Sequence, residues 1–111
     1  MAYDEDFASR IREELADVDG VTEKAMFGGL GFLLGGNMAV GIMSTGDLMV
    51  RVGPEGAEEA LAKPGTRAFE MRGRSMTGWV IVERGAVRTQ RQLAPWVRRG
   101  TAFAATLPPK G

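Results

Sequence analysis

The segment KAMFGGLGFLLGGNMAVGIMSTGD, residues 24–47, holds seven glycines and no charge between its first and last residues. Three folds compete for it: a phosphate-cradling loop, a membrane-spanning helix, and short strands joined by tight turns. The dinucleotide fingerprint needs glycine at its first, third and sixth positions, ahead of a helix that receives the pyrophosphate at its N-terminus. Here Gly29 and Gly31 are followed by Leu34, and the next glycine comes one place late at Gly35. Gly31 and Gly36 have P-loop spacing, but Asn37-Met38 stands where a lysine and a hydroxyl must reach phosphate and magnesium. The uncharged run 25–46 is long enough to span about 30 Å of hydrocarbon, and Gly31-x-x-x-Gly35 resembles a helix-dimerisation pattern. Against a helix stand the seven glycines and Asn37, and Gly36-Asn37 is a turn dipeptide between two apolar runs of strand length. The segment therefore reads as strands, with glycine supplying positive φ at turns and bare backbone where another layer comes close.

Working outward, LMVRV at residues 48–52 puts Leu48, Val50 and Val52 on one face and Met49 and Arg51 on the other, a period of two that no helix shares. Strands at about 23–27, 30–34, 38–43 and 48–52 then make an antiparallel meander. Upstream, Asp4 caps a helix over about 5–18, where Phe7, Ile11, Leu15 and Val18 recur at helical spacing and Asp19-Gly20 stops it. Downstream, Gly53-Pro54 opens a short helix with Pro54 at its first position and Ala57, Ala60 and Leu61 on its apolar side. Strands over about 67–72 and 78–83 follow, joined by the turn chemistry of GRSMT at 73–77. A last helix starts after Thr89, with Gln92 completing a T-x-x-Q capping box, and Pro108-Pro109 is expected to end the ordered chain. The resulting fold class is α+β: one two-layer domain over residues 1–111, with an antiparallel sheet of about six strands and N-terminal, middle and C-terminal helices.

A chain of 111 residues fits one domain, large enough to bury roughly 65% of the surface its unfolded form exposes. Fourteen basic residues balance fourteen acidic ones, yet residues 1–19 carry seven carboxylates and two arginines while residues 84–111 carry five arginines, one lysine and no acid. Absence of cysteine excludes disulfides, thiolate catalysis and cysteine-ligated metal, and absence of histidine removes the commonest general base and metal ligand. Ser9, Ser44 and Ser75 have no histidine to activate them, and the acids cluster on expected solvent faces, Glu13, Glu14 and Asp17 on the first helix and Glu55, Glu58 and Glu59 on the second. The chain is expected to be no enzyme and to hold no cofactor or metal. The acidic start MAYDEDF is unlike a secretory signal, which makes the cytoplasm the expected compartment.

EKAMFGGLGFLLGGNMAVGI, then LMVRVGPE, then GRSMTGWVIVE and a closing helix before LPPK resemble the TfoX N-terminal domain family, also called Sxy. Met26-Phe27-Gly28-Gly29 is the most specific piece. The resemblance implies a secretion-chaperone-like two-layer domain and a link to bacterial competence regulators, in which this module precedes a helical C-terminal domain. The expectation is a stand-alone form lacking that second domain.

Candidate contact residues fall into two groups. Met43, Met49 and Arg51 lie on the sheet face opposite Leu48, Val50 and Val52, and would be exposed if helices cover only one face. Arg72, Arg74, Arg88, Arg91, Arg98 and Arg99 could recognise an anion, a nucleic acid or a partner's acids, with Arg84 beside them. Both tryptophans fall on apolar periodicities and are expected in the core, as are most of the methionines. The function expected is a non-catalytic regulatory or protein-interaction module. The alternatives are a small-ligand or anion-binding protein or unrecognised enzyme using Arg51 or the Arg72 and Arg74 loop, and a DNA-associated regulator acting through the basic C-terminal quarter. The expected partners are a second copy in a two-fold homodimer and an unidentified protein, with no membrane. The acidic first helix of one copy would face the basic last helix of the other.

Overall fold

The computed structural model describes residues 3–26 and 28–110. The glycine-rich segment is strand, as its turn chemistry requires. β1 (Val21–Met26), β2 (Gly29–Leu34), β3 (Asn37–Ile42) and β4 (Leu48–Arg51) form a meander, and β5 (Thr66–Met71) and β6 (Arg74–Val82) complete one sheet in the order β1-β2-β3-β4-β6-β5. Every pairing is antiparallel. Three helices accompany it, α1 (Glu5–Glu14), α2 (Ala57–Leu61) and α3 (Gln90–Ala104). This is the expected α+β architecture, and among the described residues no helix is long and apolar enough to cross a membrane.

Several boundaries differ from those expected, each for a local reason. The β2–β3 turn is Gly35-Gly36, not Gly36-Asn37: both glycines have positive φ, +60° and +83°, the pattern of a type I′ hairpin, and Asn37 is the first residue of β3. The β5–β6 turn is Arg72-Gly73, with φ of 54° and 78°, so Arg74 through Thr77 belong to β6 rather than to a loop. α1 ends four residues early, in turns in which Val18 N–H still bonds the Leu15 carbonyl. Pro54 precedes α2 within a turn instead of starting it. A short 3-10 helix over Arg84–Val87 had no signal in the sequence pattern. The chain also stays ordered past Pro108-Pro109, because Asn37 Nδ2 donates to the Pro108 carbonyl at 3.0 Å and Lys110 N–H to the Gly35 carbonyl at 2.7 Å. Phe27, in the piece Met26–Gly29 and at the end of the expected first strand, lies outside the described residues.

The core forms between one sheet face and the helices. Phe7 and Ile11 of α1, Leu15 just after it, Ala60 of α2 and Leu93, Trp96 and Val97 of α3 pack with Leu30, Phe32, Val40, Ile42, Leu48, Val50, Val80 and Val82 from the sheet. Two cross-strand rows show the register that sorts these side chains. Leu30, Ile42, Leu48 and Val82 run across β2, β3, β4 and β6, and Phe32, Val40, Val50 and Val80 form the parallel row two residues away. The expected capping box is present, with Thr89 Oγ1 accepting from Gln92 N–H at 3.1 Å and Gln92 Oε1 accepting from Thr89 N–H at 3.1 Å.

α1 is fixed by Asp4, whose Oδ1 accepts from the Asp6 and Phe7 N–H groups while its Oδ2 accepts from Arg84 at 2.9 Å. The Arg84 guanidinium also lies 4.1 Å from the centre of the Phe7 ring. The Arg84 hydrogen bond, more than the capped amides, holds the Asp4 carboxyl below its ordinary value of 3.8. Arg12 does the same for Glu23, and Arg99 for Glu59, from an ordinary 4.5. Because these folded-state values are lowered, the stability they add is complete above the ordinary values and is lost as pH falls through the lowered ones. Asp4→Asn keeps a capping oxygen and loses the ion pair, whereas Asp4→Ala loses both. Urea midpoints at pH 7 should therefore fall in the order wild type, Asp4→Asn, Asp4→Ala. The gap between wild type and Asp4→Asn should close in acid below the folded Asp4 value; a gap independent of pH would refute the ion pair's role.

Candidate functional site

All the helices lie on one side, so the opposite face of the sheet has no covering layer among the described residues. Its central row, from one edge strand to the other, is Lys24, Gly31, Gly41, Met49, Ile81 and Arg67. Side chains are missing at Gly31 and Gly41 in the middle of that row, which lowers the floor. A Cβ built on Gly31 would stand 2.8 Å from the Met38 terminal methyl and 3.2 Å from that of Met26. One built on Gly41 would stand 3.6 Å from the Met49 methyl. Thioether ends thus lie over the glycine floor from both sides.

The result is a groove of about 340 Å³. Met26, Met38, Met43, Met49, Met71 and Met76 all line it, with Phe69 and Trp79, and Ser44 contributes its only hydroxyl. The helix-side core, in contrast, contains no methionine among the described residues. Branched aliphatic and aromatic side chains fill the closed layer, and unbranched, polarisable ones are gathered on the open one. Met71 and Met76 are 47% and 38% exposed, large values for apolar side chains, so the groove is open to solvent. Adaptable methionine surfaces of this kind mould themselves to apolar partners.

Met43 and Met49 are therefore where the alternation puts them. Met26, Met38, Met71 and Met76 correct the expectation that most of the methionines fill the core, since all four line the open groove, and Phe69 beside them was given no role by the sequence pattern. Trp79 corrects the expectation of two core tryptophans: Trp96, on α3, is buried in the core between that helix and the sheet, but Trp79 sits on the open face, with its ring 6.5 Å from that of Phe69. The signal that could have placed it is the strand period, because Trp79 and Ile81 alternate with the buried Val80 and Val82.

The arginines divide between two surfaces. Arg51 borders the groove, its guanidinium 5.1 Å from the Trp79 ring centre and 5.5 Å from that of Phe103. Arg72 lies in the turn that follows Met71, and Arg74 opens β6 opposite Met71. None of the three is among the groove's lining residues, so the cavity is not the arginine-lined pocket an anion-binding protein would need. Arg88, Arg91 and Arg98 are exposed on the helical layer, away from the groove. Arg99 bonds Glu59 at 2.6 Å, and Arg84 is held by Asp4, so part of the basic C-terminal quarter is neutralised within one chain. A second depression, of about 410 Å³ between the end of α2 and α3, has Lys63, Pro95, Trp96 and Arg99 in its wall. Its one stacked cation, Arg99 over Trp96 at 5.5 Å, is already paired with Glu59.

A family model described as the TfoX N-terminal domain matches residues 13–104, which takes in the whole sheet and all of α2 and α3. No curated protein matches the chain.

Proposed function

The chain belongs to the TfoX N-terminal domain family, and from that premise we propose that it is a non-catalytic regulatory module, cytoplasmic, acting by protein contact through the open face of its sheet. The observation that supports this most directly is the sorting of methionine: six thioether side chains line one solvent-open groove. A face of this composition is costly to leave in water, since apolar area is worth roughly 25 cal/mol per Å² on removal from it.

The test is capture of partners from the native cytoplasm by the tagged chain and by a Met38→Lys/Met49→Lys variant. Both positions are half-exposed on the open face, so the variant should keep the helix-side core and its circular dichroism. A partner retained by wild type and lost by the folded variant is the expected result. Identical capture by both would reject the open face as the contact surface.

The two-fold homodimer is a second reading of the same face, favoured by its lack of a covering layer. Sedimentation at micromolar concentration separates the two readings, with one chain weighing 11.9 kDa. DNA association through Arg88, Arg91 and Arg98 is a third, and it requires duplex binding that weakens steeply with salt.

A further inference from the structure

We propose that the occupant of the methionine groove is an amphipathic helix of a partner protein, with acidic residues flanking its apolar stripe. The proposal rests on the protein-contact reading above and adds the chemistry of the partner. Its first support is charge. Lys24 and Arg67 close the two ends of the central row, Arg51 lies over Trp79, and Arg72 and Arg74 follow Met71. Arg67 is paired with Asp47 at 3.2 Å and reaches Glu83 at 4.0 Å. Lys24, Arg51, Arg72 and Arg74 have no carboxylate at ion-pair distance among the described residues. Glu70, exposed at the end of β5, is the nearby acid without such a pair. An apolar floor bordered by four unpaired cations selects an apolar stripe flanked by acids.

The second support is shape. The floor is hollowed at Gly31 and Gly41, so it receives a convex element, and a helix is the element that covers the other face of this same sheet. A second copy presenting the same face would bring two hollows and two sets of cations together, which leaves a void and sets like charges opposite each other.

The probe is a synthetic 18-residue peptide with leucines at helical i, i+3, i+4, i+7 spacing and glutamates elsewhere, beside a twin carrying lysines for glutamates. The readout is the methyl spectrum of the chain labelled at its methionine ε-carbons, which reports directly from the groove. The glutamate peptide should shift these resonances saturably, bind about tenfold or more tightly than the lysine twin, and weaken as salt rises. Lys24→Glu/Arg72→Glu/Arg74→Glu, all at exposed positions, should reverse the preference between the two peptides while leaving the unbound spectrum dispersed.

Equal binding of both peptides would overturn the acidic partner. Methyl shifts from anionic phosphatidylglycerol vesicles with none from either peptide would overturn it in favour of a lipid surface. A doubled sedimentation mass with shifts abolished by dilution would overturn it in favour of a second copy. The broader contact reading stands or falls separately, on whether Met38→Lys/Met49→Lys abolishes capture of the native partner.

Discussion

Phe32→Ala should lose about 3 to 5 kcal/mol of unfolding free energy, whereas Met49→Ala, two strands away in the same sheet, should lose about 1 kcal/mol or less. Phe32 is 1% exposed in the row it shares with Val40, Val50 and Val80, beneath the helices. Truncation there removes the transfer energy of a ring and leaves a cavity that a strand fixed on both sides cannot close. Met49 faces the other way, into a groove that solvent already reaches. Its loss removes a partly exposed side chain and opens no sealed void. For a domain of this size, with about 5 to 15 kcal/mol of total stability, the first change consumes a large share. Urea denaturation of the two variants, with slopes equal to wild type, measures the contrast. Equal losses would mean that the methionine face is a second core and would remove the ground for the contact function.

Gly100→Ala should destabilise by about 1 to 3 kcal/mol even though the same exchange on an exposed helix stabilises by about 1 kcal/mol. Gly100 lies in the interior of α3, where alanine is the better helix former. A Cβ there would collide with the Ala39 carbonyl oxygen and stand 2.8 Å from Val40 Cγ1. Both atoms belong to β3 in the middle of the sheet, and the nearer one is backbone, which cannot rotate aside. The helix must lift, which loosens the packing of Leu93, Trp96 and Val97 along its whole length. The steric term therefore outweighs the propensity term. Thermal unfolding of the variant gives the sign, and a rise in midpoint would show that α3 can shift at little cost.

What the candidate site owes to sequence is uneven. Period two in LMVRV set Met49 and Arg51 on the face away from the core, and two-residue hairpin chemistry broke the glycine-rich run into strands. The capping box at Thr89 and the cap at Asp4 were equally readable, because each depends on groups within three residues of one another. These are local relations, carried by neighbours in the chain.

The groove was not readable as a groove. Met26 and Met38 flank Gly31 only because β1, β2 and β3 pair in one register, which includes a shift between Phe32 and Leu33. Phe69 and Trp79 meet only across an irregular β5–β6 ladder. Arg84 reaches Asp4, eighty residues away in the chain, and Arg99 reaches Glu59, so charges at the two ends that could have paired between copies are partly satisfied within one. The sequence by itself determined which residues alternate, where the chain turns and which chemistries are missing, because backbone geometry and composition act over a few residues. Only the tertiary structure decided that six methionines share one open face, because strand order and register are set by burying the other face against the helices.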